Sequence, residues 1–291
     1  MRRSTARGAL LLALATTLAA LCRAVGTEPA PFAWEDRLRG DAIVLLGEMH
    51  DNSVQHRLRL EVLRRAFEAG WRPAIAMEQF DREHQVDIER ARVEHPLDAS
   101  YLIEKAAPGH DKSSNPWNWE YYRPYVALAL EYQVPLLSAN LSRSDAQKIV
   151  AHSYAAVFDG SMERLLGLDR EPPSLLAAQE SEIDVGHCHT VPKEQLPAMA
   201  RSQLARDAVM AAVLREHAAR GVVLLAGNGH VRRDIGVPAW FDAPTLARVF
   251  AVGFLERGNP APPASAFDAE VTTVAAPRPD QCAALRRREK S

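Results

Sequence analysis

The chain has 291 residues, 47% of them hydrophobic and 25% charged, with a formal net charge of −2. This is the composition of a globular protein with one good core or two modest ones. The slight negative charge argues against nucleic acid or an anionic membrane surface as partner.

Taken in chain order, residues 1–26 stand apart. Arg2, Arg3 and Arg7 precede an apolar run at 9–21 that is too short to span a bilayer comfortably. The pattern is that of an export signal. Two endings are open. Ala24 and Gly26 offer small residues for cleavage after Gly26. Cys22, preceded by Leu18-Ala19-Ala20-Leu21, offers a lipid anchor, although Leu21 is not the small residue that a lipoprotein signal wants. Two cysteines then remain, Cys188 and Cys282, which can pair or stay as thiols.

AIVLL at 42–46 reads as a buried strand, an apolar run bounded by a turn. Asn52 caps a helix over 52–69, Gln55 stands three residues on as in a capping box, and Gly70 ends it. A second strand at 73–77 leads into Glu78-Gln79. A polar helix over 82–93 follows, then an irregular stretch to 118 and a helix over 120–132 broken near Pro124. A third strand at 134–139 precedes a helix capped by Ser144 and running to 157. Residues 158–194 are mixed, a long helix covers 195–219, and a fourth strand lies at 222–226. Fifth and sixth strands are read at 246–255 and 271–274, and the tail from Pro277 to residue 291 is basic and expected to be disordered. Strands alternating with helices give an α/β fold: one domain over 27–276, a mostly parallel central sheet flanked by helices, with a largely helical insertion at about 80–132 and 158–218.

VLLGEMH at 44–50 and LLAGNGH at 224–230 both run a strand into G-x-x-H. Such sheets bind ligands at the carboxyl ends of their strands, and the polar residues gather there: Glu48, His50 and Asp51; Glu78 and Gln79; Asn140 and Arg143; Asn228 and His230. Glu48, His50, Glu78 and His230 together suit a divalent metal with an open position, or metal-free acid–base hydrolysis. In the hydrolytic reading His50 is base or ligand, Glu48 its orienter or a ligand, Glu78 the acid/base and His230 a second ligand or base. The bland alternative is a hydrogen-bonded cluster that braces loops. His187-Cys188-His189, if extended, puts both imidazoles on one side as ligands for a metal or haem iron. Trp117, Trp119, Tyr121, Tyr122 and Tyr125 offer an aromatic wall or a phenolate ligand, or simply packing. Arg232 and Arg233 beside His230 can meet ligand carboxylates or be solvated. H-E-x-x-H, C-x-x-C, C-x-x-C-H, G-x-S-x-G and a Walker loop are all absent, as is G-x-G-x-x-G after the first strand.

GEMHDNSVQHRLRLEVL, AMEQFDREHQ, WEYYRPYVALALEYQVPLLSANLSR, CHTVPKEQLPAMARSQLARDAVMA and LLAGNGHVRRDIGVPAWF together resemble the ChaN family, from Asp41 to Leu255. The family is similar in turn to the Tiki/TraB and erythromycin-esterase groups, which include hydrolases, some of them metal-dependent. The resemblance implies a secreted or lipid-anchored bacterial protein of haem and iron acquisition, held in the periplasm or at the outer membrane. It also implies haem held at the strand ends, stacked between the protomers of a homodimer, and a Tyr at the iron whose position it does not fix. The candidate haem contacts are His50, His189, His230, Tyr121, Tyr122 and Arg232.

Overall fold

The computed structural model describes residues 32–112, 117–280 and 282–283. The expected export signal and the Cys22 anchor lie outside them. Among the described residues no helix is long and apolar enough to cross a membrane.

Six strands form one all-parallel sheet: β1 (Ile43–Leu46), β2 (Ala74–Asp81), β3 (Leu136–Asn140), β4 (Val222–Leu225), β5 (Val249–Glu256) and β6 (Ala269–Thr273). Their order is β3-β2-β4-β1-β5-β6. The fold is therefore α/β, and β1, β4 and the first four residues of β2 read as unbroken apolar runs because both faces are covered. On one face Ile43, Leu45, Ala74, Ala76, Val222, Leu224 and Ala251 pack with Met210, Ala211 and Leu214 of the long helix α8 (Leu196–His217). The alternate set, Val44, Leu46, Ile75, Met77, Val223 and Leu225, is equally buried on the other face.

Between β1 and β2 lies α1 (Ser53–Glu68). Asn52 caps it by accepting from the backbone N–H groups of Val54 and Gln55. The capping box is only half built: Gln55 Oε1 accepts from Met49 N–H at 2.7 Å, and its amide donates to Thr273. Gln55 thus fixes the turn after β1 to the far edge of the sheet. Between β2 and β3 come α2 (Gln85–Glu94), α3 (Ala99–Ala106) and α4 (Trp119–Glu131). Helix α4 runs on through Pro124, so the expected break does not occur. The helix after β3 is α5 (Arg143–His152), capped by Ser142 rather than Ser144. After it come α6 (Gly160–Leu166), α7 (Pro173–Gly186) and α8. Two short helices, α9 (Asn228–Val231) and α10 (Ala243–Leu246), follow β4.

His187-Cys188-His189 is a turn, not an extended stretch. Cys188 and His189 adopt φ of 58° and 59° at the end of α7, and Cys188 is bonded to Cys282. Of the basic tail, Arg278 makes ion pairs with Asp51 and Glu256.

β1 and β4 are hydrogen-bonded neighbours with Leu46 opposite Leu225, so the two G-x-x-H turns leave the sheet side by side. Gly47 permits this approach: a Cβ there would lie 2.2 Å from Asn228 Oδ1 and 2.8 Å from Val231 Cγ2. Asn228 cannot yield, because its amide donates to Phe254 O at 2.7 Å and its oxygen accepts from Phe254 N–H. Replacing Gly47 by Ala is therefore expected to cost about 1–3 kcal/mol, the range for overpacking a tight core, read as a lower denaturation midpoint with an unchanged slope.

Candidate functional site

Two polar sets meet at the carboxyl edge of β1, β2 and β4. The first is built on Glu48, which is 1% exposed. Its Oε1 accepts from the Tyr122 hydroxyl at 2.6 Å and lies 2.8 Å from His50 Nδ1. Its Oε2 faces the Arg59 guanidinium and, at 3.5 Å, His56 Nδ1. Arg59 is fully buried on α1, with Tyr125 beneath it. Burial lowers its pKa, opposed by the nearby phenols and Glu78, yet a guanidinium remains charged. Burial also lowers His56 to about 4, leaving it neutral, with Nε2 donating to the His50 carbonyl at 3.0 Å. The Tyr122 hydroxyl is pushed well above its ordinary range, chiefly by burial.

The second set is Glu78–His230–Asp207. β2 loses its ladder register between Met77 and Asp81, which frees Glu78 from strand pairing. Glu78 Oε2 accepts from Gly227 N–H at 2.8 Å and Oε1 lies 3.4 Å from His230 Nε2. His230 Nδ1 lies 2.6 Å from Asp207 Oδ1 on α8. Burial alone would lower the His230 pKa. The two carboxylates overcome it and raise the value to about 10, so the ring is an imidazolium at neutral pH. Glu78, despite a burial effect that would raise it, is held far below the usual carboxylate range by His230, His50 and Gly227 N–H. Burial raises Asp207 to about 6, against the pull of His230.

His50 joins the two sets. A Cβ on Gly227 would lie 3.0 Å from His50 Nε2 and 3.7 Å from Glu78 Oε2, so a side chain there would push the ring aside. The His50 side chain is 44% exposed and meets Trp117 edge-on at 4.8 Å. Tyr121 is half-buried and stacks on His56 at 4.8 Å. Among the described residues its hydroxyl makes no hydrogen bond.

The four residues read from the strand ends are thus brought to one edge, but not as a ligand shell. Among the described residues no three His, Cys, Asp or Glu side chains are arranged to hold a metal ion. The reason is local: Glu48 spends both oxygens on protein partners, and both nitrogens of His230 face carboxylates. As an imidazolium, His230 must release a proton before it can ligate a metal or act as a base. This arrangement gives no support to a divalent metal. Two candidate haem contacts are also occupied. The Tyr122 phenol is buried against Glu48. Arg232 is forked onto Asp234 and paired with Glu182. His189, at the end of α7, has Nδ1 2.7 Å from Asp184 and is exposed, with Nε2 uncommitted among the described residues.

Arg59, His56 and Asp207 were not singled out by the sequence reading. A signal for two of them was present. Arg59 lies on the buried stripe Gln55-Arg59-Val62-Leu63-Ala66, and Asp207 on Leu204-Asp207-Ala208-Ala211. A charge at a core-facing position of a helix implies a buried partner.

An all-parallel α/β protein that converges histidines and carboxylates on the carboxyl edge of its sheet belongs to the class that holds ligands at that edge. The family model described as haem-binding uptake, Tiki superfamily, ChaN matches residues 34–241, and the chain belongs to that family. Among solved structures, cofacial haem binding to ChaN of Campylobacter jejuni is 22% identical, covering 78% of this chain and 85% of that one, with a TM-score of 0.60. That likeness is one of fold. A mutant of the erythromycin esterase EreC in its open conformation is 14% identical over 78% of this chain and 75% of that one, with a TM-score of 0.41. A search of curated proteins gives no match.

Proposed function

We propose that this protein is exported to the periplasm or outer membrane, carries residues 1–26 as its signal with Cys22 available as an anchor, and binds haem in haem or iron acquisition. The observation that carries the reading is the haem-binding family match, which spans the edge bearing His50, Glu78 and His230.

The side chains at this edge fit a haem. An iron porphyrin needs an axial donor and an apolar face, and when bound it supplies the redox and ligand chemistry of its iron. His50 is the proposed ligand. Glu48 holds Nδ1 at 2.8 Å, the carboxylate partner that metal-ligating histidines ordinarily carry, which leaves the lone pair on Nε2. Trp117 and Tyr121 supply aromatic surface beside it. The cofacial arrangement named for the Campylobacter relative makes a homodimer around paired haems the proposed assembly.

Titrating the purified protein with hemin is expected to give a saturable Soret band at micromolar concentration, with dimerisation read by sedimentation. His50→Ala should weaken binding at least tenfold and change the ligand-field spectrum, whereas Tyr121→Phe should keep the spectrum. Absence of a saturable Soret change in the unsubstituted protein overturns the reading. Loss of the spectrum in Tyr121→Phe alone assigns the iron to the phenolate instead.

A further inference from the structure

The segment that follows β6 lies against the turn that carries His50. Val274 to Asp280 run without secondary structure, and Cys282 then bonds Cys188 at the end of α7. Both ends are therefore fixed, one by the β5–β6 ladder and the other by a covalent bond. Pro277 and Pro279 flank Arg278. Each proline sets its own φ and biases the residue before it to extended backbone, so Arg278 projects from a stiff support.

Arg278 grips the His50 turn. Asn52 N–H donates to Met49 O at 3.0 Å, closing a turn with His50 and Asp51 at its centre. The Arg278 guanidinium forks onto both oxygens of Asp51, at 2.8 and 2.7 Å, and donates to both oxygens of Glu256, at 2.6 and 2.8 Å. Glu256 is 4% exposed and also accepts from Asn52 Nδ2 at 2.7 Å and from Ala276 N–H at 2.9 Å. The Val274 carbonyl accepts from the same Asn52 amide at 2.9 Å. Val274, Ala276 and Arg278 thus tie the turn to the end of β5. Forked arginine–carboxylate pairs fix geometry as well as charge. Asp51 is 54% exposed, however, and ion pairs in such surroundings are weak on their own. The covalent anchor at Cys282 keeps Arg278 at high local concentration beside its carboxylates. Cys188 and Cys282 are half-buried, within reach of a small reductant.

We infer that the segment from Val274 to Asp280, pinned by the Cys188–Cys282 bond, is a redox-responsive strap on the His50 turn, with Arg278 as the positioning residue through which it acts. This rests on the haem reading and adds a control to it. With the bond closed, Arg278 holds the turn, and so His50, in the orientation that suits the ligand. A dithiol reductant opens the bond. One of its thiolates attacks a sulfur of the bond and the other resolves the mixed disulfide. Two electrons and two protons pass to Cys188 and Cys282, which become thiols, while the reductant becomes a disulfide. The strap then keeps its ion pairs without its anchor, the turn loosens and the ligand leaves more readily. The strap lies beyond the residues 34–241 that match the family model.

The full chain is compared oxidised, reduced with a phosphine and alkylated, as Cys188→Ser with Cys282→Ser, and as Arg278→Ala and Arg278→Lys. All are held at a temperature where circular dichroism shows them folded. Amide hydrogen exchange at residues 49–52 is read without ligand, and hemin affinity is read by Soret titration. The opened protein, the double serine variant and Arg278→Ala should each exchange about tenfold faster at the turn, with β1 and β4 unchanged. Each should bind hemin about tenfold more weakly, the lower end of what losing a ligand's supporting contacts costs. Arg278→Lys should keep part of both, and Arg278→Ala should add little in the double serine background. A bond that only staples the fold would lower the denaturation midpoint and leave exchange at the turn and hemin affinity unchanged. That result, or tighter hemin binding after reduction, overturns the inference while leaving haem binding intact. No hemin binding by the oxidised protein overturns the haem reading and the inference with it.

Discussion

Replacing Arg59 by Met is expected to destabilise the protein by about 3–5 kcal/mol, the range for removing one partner of a buried ion pair. Arg59 and Glu48 are 0% and 1% exposed and face one another between α1 and the end of β1. Without the guanidinium, the Glu48 carboxylate would be left with the Tyr122 hydroxyl, the His50 ring and the neutral His56. It would either take up a proton or pay for burial of an unpaired charge. The double substitution Arg59→Met with Glu48→Gln should recover most of the loss, because the buried charge and its counter-charge disappear together. Chemical denaturation of the two single variants and the double variant gives the coupling directly. Additive losses would show that the pair does not hold the turn. The link to function is short, since the oxygen of Glu48 that bonds Tyr122 also positions His50.

The second large effect is on alkaline stability. The His230 pKa is raised from 6.5 to about 10 in the folded protein. A group whose folded value lies above its unfolded value contributes fully below the unfolded value, and its contribution is lost as pH rises through the folded one. Between about pH 6.5 and pH 10 the native state keeps a proton that the unfolded chain releases. Stability should therefore fall with rising pH by up to about 1.4 kcal/mol per unit. Glu78 acts at the other end: its folded value is depressed, so its contribution is present above about pH 4.5 and is lost only in acid. Asp207, raised to about 6, has completed its own change below neutrality. Urea denaturation at half-unit steps from pH 6.5 to 10 reads the slope. Asp207→Asn removes one of the two carboxylates and should move the alkaline limb to lower pH. A flat stability from pH 7 to 9.5 would refute the imidazolium assignment.

Much of the architecture was legible because local signals agreed with the global fold. The strands at 42–46, 73–77, 134–139 and 222–226 are apolar runs of strand length, and each falls within two residues of β1–β4 at its start. Asn52 and Gly70 bound α1 as read, the latter with φ of 101°. The helices in 94–118 and 158–194 were illegible for a physical reason. α7 has only a weak periodic pattern and is helical through packing on α8, while α3, though amphipathic, is only eight residues long and depends on packing against α2 and α4. β2 runs four residues further than its apolar core because Glu78-Gln79-Phe80 are carried on a register shift, which no sequence pattern announces.

The site divides in the same way. The sequence alone determined that Glu48, His50, Glu78 and His230 stand at strand ends, since a strand that stops at a turn must present its next polar residues at the sheet edge. It could not decide how they pair. That β1 and β4 are neighbours is a matter of strand order, and that Arg59 and Asp207 turn inward depends on which helix face meets the sheet. Those long-range contacts make Glu48 a saturated acceptor and His230 a cation, and leave His50 Nε2 uncommitted among the described residues. Residue type supplied the candidate groups. The charge each one carries was set by partners brought together only when the chain folds.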